Sequence, residues 1–216
     1  MTAATDDLGL RERKKRRTRA ALMDAALELF SAKGYDATTV EEIAAAVEIS
    51  PRTFFRYFDG KEDVALGQLS AMDDDTVTAL ATRPADEPPL PALLAAYRGM
   101  LDRLYDDEGG AERFRATHRL IDRSPTLLAG SLRRSAETED RLAVIIAERQ
   151  GVDDARDLRC RLLVRLVFTS GRLGVEAACR RGETCDVAQL RATVDKALEL
   201  GTAGLPTEWS TSASRW

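Results

Sequence analysis

Apolar and polar positions between Thr39 and Lys61 (TVEEIAAAVEISPRTFFRYFDGK) fall into two short helical runs separated by a break. Val40, Ile43, Ala44 and Val47 recur at i, i+3, i+4, i+7, which predicts one helix with a single apolar side. Thr39 stands at its N-cap, and Glu42 three residues later completes a capping box. After Glu48 and Ile49, Ser50 offers a second N-cap and Pro51 fits the first helical position, so a second helix of about two turns is expected. Upstream, Leu22, Ala26, Leu29 and Phe30 share one face of a helix from Thr18 to about Lys33, closed by Gly34. These three helices form a small helix-turn-helix core.

The rest of the chain keeps helical periodicity and shows no strand-like alternation, so the fold class is all-α: the headpiece plus a larger helical body, which the residues below assign to ligand binding and dimerisation. The expected organisation is a flexible N-terminus over 1–10, the helix-turn-helix over 11–61, the helical body over 62–203 and a frayed tail over 204–216. A helix from Lys61 to about Thr82 leads to RPADEPPLP, whose prolines Pro84, Pro88, Pro89 and Pro91 predict a linker. Further helices are expected at about Leu90 to Tyr105, Ala111 to Asp122, Pro125 to Gln150, Asp153 to Arg181 and Asp186 to Gly201.

The second helix of the pair carries chemistry. Phe54 and Phe58, an i, i+4 apolar edge, pack inward and leave Arg52 and Arg56 on the far side, with Thr53, Phe55 and Tyr57 on the flanks. Arginine forks onto guanine O6 and N7, threonine offers a hydroxyl and a methyl, and a phenol reaches a phosphate oxygen. Seven basic residues lie between Arg11 and Arg19 (Arg11, Arg13, Lys14, Lys15, Arg16, Arg17, Arg19) against the single acid Glu12, a run suited to phosphate or minor-groove contact. The 216-residue chain has a net charge of only −4, but the charge is divided. Arg11 to Lys61 holds eleven basic and eight acidic residues, whereas Glu62 to Trp216 holds 21 and 26. Because affinity follows the phosphates neutralised locally, an acidic body is no obstacle to duplex binding.

Arg19 to Leu66, RAALMDAALELFSAKGYDATTVEEIAAAVEISPRTFFRYFDGKEDVAL, resembles the DNA-binding domain of the TetR family of transcriptional regulators. The resemblance runs in order through Leu29-Phe30, the Lys33-Gly34-Tyr35 turn, the Thr-Thr-Val start of helix two, Tyr57-Phe58 and Lys61-Glu62. It implies that Thr39 meets a phosphate, that Pro51, Arg52, Thr53, Phe55 and Arg56 enter or border the major groove, and that Tyr57 and Lys61 hold the backbone, with Arg17 contributing from the basic run. Phe55 and Arg56 depart from the paired tyrosines frequent in the family, which leaves open base reading by Arg56. The family implies a homodimer on a palindromic operator, with a small-molecule effector that releases it. More loosely, the segment from Phe114 through RSPTLLAGSLRRSAETEDRLAVIIAERQGVDDARDLRCRLLV is similar to mycofactocin-regulator-like members, which implies an acyl-CoA-like effector.

Candidate walls for the effector site are Tyr97, Met100, Leu101, Leu104, Tyr105, Phe114, Phe168 and Leu173, with His118, Arg119 and Arg172 as polar anchors. Gly171, Gly174 and Ala178 recur at i, i+3, i+7 in a helix, where each glycine costs about 1 kcal/mol relative to alanine. Either another helix approaches closely there or space is left for a ligand. With Leu190, Val194, Ala197, Leu198 and Gly201 on the final helix, they are the expected dimer interface, a four-helix arrangement.

Cys160, Cys179 and Cys185 have no CxxC spacing and no neighbouring histidine, against a metal site or disulfide framework; Arg180-Arg181 leaves a thiol sensor open. No run of about 18 apolar residues exists and the N-terminus lacks a signal-peptide core, so a cytoplasmic protein without a membrane partner is expected. No nucleophile with its base, metal-ligand spacing or phosphate-cradling glycine loop speaks for an enzyme, and no cofactor is expected. An activator, a regulator controlled by a protein partner, and a packaging protein indifferent to sequence stay open beside the repressor reading.

Overall fold

The computed structural model describes residues 3–179 and 187–205. The described residues form ten helices: α1 (Ala3–Lys33), α2 (Val40–Ala46), α3 (Pro51–Phe54), α4 (Lys61–Ala65), α5 (Gly67–Ala81), α6 (Pro89–Asp106), α7 (Gly110–Ile121), α8 (Pro125–Gln150), α9 (Leu158–Cys179) and α10 (Val187–Thr202), with no strand among them. Two compact units result: the described residues up to Ser70 together with Glu112–Leu132, and Ala71–Ala111 together with the described residues from Arg133 onward. The expected boundary at residue 61 is therefore crossed twice.

The first unit closes over Leu22, Met23, Ala26 and Phe30 of α1, Ile43 and Ala44 of α2, Phe54 and Phe58, Val64 to Leu66, and Ile121 and Leu127. α1 does not begin at Thr18 but at Ala3. Residues 3–17 have no apolar stripe to reveal a period, but they are dominated by good helix formers and contain no proline. The expected helix from Lys61 breaks at Leu66, where φ is −95° and ψ 5°. A Cβ on Gly67 would lie 2.9 Å from Met23 Sδ and 3.0 Å from the Phe58 ring, so the glycine lets the chain pass over the α1 core. α7 joins this unit through Arg113, buried, which donates to Gln68 Oε1 at 3.2 Å and to Asp24 Oδ1 at 3.2 Å.

The second unit is built on α9 and α10, which pack along one seam, with α6 against α9. Its core includes Leu93, Leu142, Ile146, Val164, Val167, Val194 and Leu198. The proline-rich linker is shorter than expected. Pro89 and Pro91 sit in the first turn of α6, after Pro88 at the N-cap, because a helix start has no use for their missing N–H groups. Arg149 pins what is left of the linker by donating to the carbonyls of Arg83 (2.9 Å), Pro84 (2.6 Å) and Glu87 (3.2 Å). α9 starts at Leu158 rather than at Asp153, because the Asp153 carboxylate accepts from Ala155 N at 2.9 Å and holds a turn there. Asp157 then caps the helix, its Oδ1 accepting from Arg159 N at 3.0 Å.

Candidate nucleic-acid interface

The capping box at Thr39 is formed: its hydroxyl accepts from Glu42 N at 3.3 Å and Glu42 Oε2 accepts from Thr39 N at 2.8 Å. Lys33 at the end of α1 pairs with the same carboxylate, and this pairing, followed by the Thr39 hydrogen bonds, lowers the Glu42 pKa to about 2. Thr39 Oγ1 also donates to Glu42 Oε2 at 2.9 Å, so its hydroxyl proton is used inside the headpiece. α2 ends in a Schellman-type closure, with Glu48 N on Ala45 O and Ile49 N on Ala44 O. Glu48 takes a left-handed φ of 56°, where glycine would be at ease.

Ser50 then caps α3, accepting from Thr53 N at 3.1 Å, with Pro51 at N1. α3 is one α-helical turn, Pro51–Phe54, rather than two. The chain continues in overlapping turns, Arg56 N to Thr53 O at 3.2 Å and Tyr57 N to Phe54 O at 2.8 Å. Phe54 and Phe58 are buried as expected, their centroids 5.8 Å apart, while Phe55 is 54% exposed. Pro51, Arg52 and Arg56 are exposed and Thr53 and Tyr57 half-buried, so the outward face holds the residues chosen for it. The Arg56 guanidinium lies 5.2 Å from the Tyr57 ring centre and within 3.4 Å of its hydroxyl, the main cause of a lowered Tyr57 pKa.

Arg19 is a residue the sequence reading left in an undifferentiated basic run. Its Nη1 donates to Tyr57 O at 2.8 Å and its guanidinium sits 4.2 Å over the Phe58 ring, so α1 holds the end of the recognition turn. Lys61 is likewise engaged: its Nζ donates to Tyr35 O at 2.8 Å and Asp36 O at 3.2 Å and stacks 4.4 Å over the Tyr35 ring. It ties α4 to the turn after α1. Arg17 is exposed.

The expected effector residues divide between the units. Phe114, His118 and Arg119 belong to the first. There Phe114 and His118 stack at 4.1 Å, and Arg119 lines a groove of about 510 Å³ with Lys33, Tyr35 and Arg123. Tyr97, Met100, Leu101, Leu104, Phe168 and Arg172 belong to the second. Tyr97 meets Phe168 edge-on at 5.4 Å, and Arg172 Nη1 donates to Ser135 at 3.3 Å. Leu173 instead is 56% exposed, and the Tyr105 side chain lies outside the described residues. Asp73 was not singled out from sequence, where it is one of three consecutive aspartates; burial raises its pKa to about 7, against a hydrogen bond from Thr138.

The expected dimer residues pack within the chain. Gly171 receives the Tyr97 hydroxyl, and a Cβ on Gly174 would lie 2.7 Å from Val194 Cα and 3.2 Å from Thr193 O. Ala178, Leu190, Val194 and Leu198 are buried, so these residues with Ala197 make the α9–α10 seam within one protomer. Exposed apolar residues on α9 lie on a different side: Leu158 (66%), Leu162 (57%) and Leu166 (39%), spaced i, i+4, i+8. Cys160 is fully buried and its thiol pKa is pushed up to about 11 by burial, which suits packing rather than thiolate chemistry. The Cys179 side chain, Arg180, Arg181 and Cys185 lie outside the described residues, as do 206–216 of the expected tail. No described helix is long and apolar enough to cross a membrane.

Comparison with known proteins agrees with this geometry. The family model for bacterial regulatory proteins of the tetR family matches residues 22–66, and that for the MftR C-terminal domain matches residues 87–206. The chain is 47% identical over 205 residues to the HTH-type transcriptional regulator TcmR of Streptomyces glaucescens, covering 93% of this chain and 90% of the relative. It is 31% identical over 146 residues to the mycofactocin biosynthesis transcriptional regulator MftR of Mycobacterium tuberculosis, covering 64% and 69%. Among solved structures, SmeT, the repressor of the Stenotrophomonas maltophilia multidrug efflux pump SmeDEF, shares the fold with a TM-score of 0.55 at 22% identity, over 86% of this chain and 88% of that one.

Proposed function

The chain belongs to the TetR family, whose members are transcriptional regulators and not enzymes, and from that premise we propose that it is a homodimeric repressor released from a palindromic operator by a small-molecule effector. The observation that carries this reading is the outward face of the recognition turn: Arg52 and Arg56 exposed beside Pro51, Thr53, Phe55 and Tyr57, over a buried Phe54–Phe58 base. Arg52 and Arg56 read base edges in the major groove. Tyr57 and Arg17 lie against phosphates, Thr39 uses its donors on Glu42 and so sets the start of α2 rather than meeting a phosphate, and Lys61, tied to the Tyr35 turn, orients the headpiece as it approaches the backbone.

Leu158, Leu162 and Leu166 supply the self-association face, a leucine row that water would otherwise cover at a cost. Two-fold symmetry then sets two recognition turns about 34 Å apart, one turn of duplex. The effector sits in the second unit, among Tyr97, Met100, Leu101, Leu104, Phe168 and Arg172, with Asp73 as an added polar group. Phe114, His118 and Arg119 leave that set. An acyl-CoA-like effector draws its support from the MftR-type C-terminal match. Several arginines that would take its phosphates are occupied, Arg141 by Asp74 at 2.9 Å, Arg103 by Asp75 at 3.2 Å and Arg98 by Asp195 at 2.8 Å. Effector binding acts only through a preference for the conformer that does not fit the operator, and near-complete release takes about 5.5 kcal/mol of such preference.

The test is selection of bound genomic fragments at about 150 mM salt, a physiological ionic strength, followed by titration with acyl-CoA esters and other small molecules. One palindrome, weakened about 5- to 150-fold by Arg52→Ala or Arg56→Ala with specificity relaxed at one position, is the expected result. Equal binding to all fragments overturns the operator reading.

A further inference from the structure

Many arginines of the second unit face a carboxylate: Arg98 pairs with Asp195, Arg161 with Asp154 and Arg191 with Asp102. Arg172 on α9 differs. Its guanidinium reaches two hydroxyls, Ser135 Oγ at 3.3 Å and Thr169 Oγ1 at 3.4 Å, and has no carboxylate partner among the described residues although it is half-buried. Both distances are long beside the about 2.7–2.9 Å of a guanidinium on a carboxylate. The cation therefore keeps its capacity for an anion.

Gly171, the residue before it, receives the Tyr97 hydroxyl in the space left by its missing side chain. Tyr97 is only 7% exposed, yet its hydroxyl has no hydrogen-bond partner among the described residues. A buried donor without an acceptor is unfavourable and marks a place where something is to be bound. Burial, and after it the Asp73 charge, raises the Tyr97 pKa above that of an ordinary phenol, so the hydroxyl keeps its proton and donates. The Arg172 charge acts on the same phenol. Phe168 meets Tyr97 edge-on at 5.4 Å, and Met100 and Leu101, one helical turn on from Tyr97, are buried. Neighbouring acids do not meet the demand. Glu139 accepts from Ser135 at 3.1 Å and faces Arg165 at 3.9 Å, while Asp73 accepts from Thr138 and, with its pKa near 7, carries less than a full charge at neutral pH.

We propose that Arg172 and Tyr97 form the polar end of the effector site and take a carboxylate, one oxygen on the guanidinium and the other on the phenol. Phe168, Met100 and Leu101 hold the apolar body, so the effector is a free apolar acid. This rests on the reading that the effector sits in the second unit. A coenzyme A thioester has no such carboxylate, and its several phosphates ask for more cations than one arginine.

Full-length protein is titrated calorimetrically with naphthoate and decanoate, with their primary amides as neutral counterparts, and with decanoyl-CoA. Each acid binds about 10- to 100-fold tighter than its amide. Arg172→Gln brings acid and amide level, Arg172→Lys restores part of the preference, and Arg98→Gln, which removes an arginine already paired with Asp195, leaves it unchanged. Tyr97→Phe weakens the acids about tenfold and melts no lower than wild type, because its hydroxyl has no partner to lose. Acids bound no better than their amides, no acid bound at all, a preference that survives Arg172→Gln, or decanoyl-CoA bound more tightly than decanoate overturns the proposal. Release of operator duplex by the same compounds separates it from the reading beneath it. An amide or decanoyl-CoA that releases the operator and is weakened by Phe168→Ala keeps the effector in the second unit and removes the carboxylate. An acid that binds through Arg172 but leaves the operator occupied overturns the effector reading and keeps the carboxylate site.

Discussion

Two glycine-to-alanine substitutions in helix interiors should change stability in opposite directions. At Gly99, within α6, an added Cβ would meet only Arg103 Nη1 at 3.5 Å, an ordinary van der Waals contact. Alanine there gains its helix propensity, about 0.8–1 kcal/mol, with nothing to offset it. At Gly174 the same atom lies 2.7 Å from Val194 Cα and 3.2 Å from both Ala197 Cβ and Thr193 O. Carbon atoms pack best at about 3.5–4.0 Å, so α9 and α10 must separate by nearly 1 Å, and a backbone atom cannot rotate away. Overpacking of this kind costs about 1–3 kcal/mol, more because the shift is shared by the whole seam. After the propensity gain, Gly174→Ala is expected to be less stable than wild type by about 1–2 kcal/mol. Urea denaturation at one fixed protomer concentration reads both values from the midpoint and slope, and holds constant any mass-action contribution of self-association. A Gly174→Ala protein that gains stability as Gly99→Ala does would refute the close α9–α10 approach.

Asp73 gives a pH signature. Its folded pKa, about 7 through burial, lies above the ordinary 3.8, so the folded state holds the proton more tightly and its stability falls as pH rises from about 4 to about 7. The shift corresponds to a ceiling of about 4 kcal/mol, reduced by solvent screening of a half-buried group to about 1–2 kcal/mol. Asp73→Asn should therefore melt higher than wild type at pH 8 and level with it at pH 4; an equal gain at both would remove burial of the charge as the cause. Leu162→Glu with Leu166→Glu should yield a helical monomer by sedimentation, with operator affinity reduced at least tenfold, and a variant that sediments as a dimer would rule out that face.

Much of the fold was legible because helix signals were redundant. α8 matched at both ends, Pro125 at its first position and Gly151, in a left-handed φ of 64°, just past its last. The capping box and the inward Phe54–Phe58 pair were equally plain, since local spacing alone defines them. Partner identity was not legible at Gly171 and Gly174: small residues signal a close neighbour, but the same stripe serves an intrachain seam and an intersubunit one. The leucines at 158, 162 and 166 carried a separable signal, an i, i+4, i+8 row left over after the buried side of α9 is filled. Arg19 and Lys61 were recognised as cations, but their carbonyl partners on Tyr57 and Tyr35 lie 38 and 26 residues away, beyond any local pattern. Asp73 shows the same limit, because its hydrogen-bond partner Thr138 lies 65 positions on.

The composition of the first unit sets where this regulator can be cut to build chimeras. A graft that ended at Lys61, the limit of the obvious helix-turn-helix, would leave behind Val64 to Leu66, Ile121 and Leu127, all buried members of its core. It would also part Arg113 from Asp24. The transferable module is discontinuous in sequence, and a recipient regulator must supply both the stretch to Ser70 and a segment equivalent to Glu112–Leu132. On the proposed reading of the recognition turn, exchange of DNA specificity between such proteins is then achieved more safely by rewriting Arg52, Thr53 and Arg56 in place than by joining headpieces to foreign bodies.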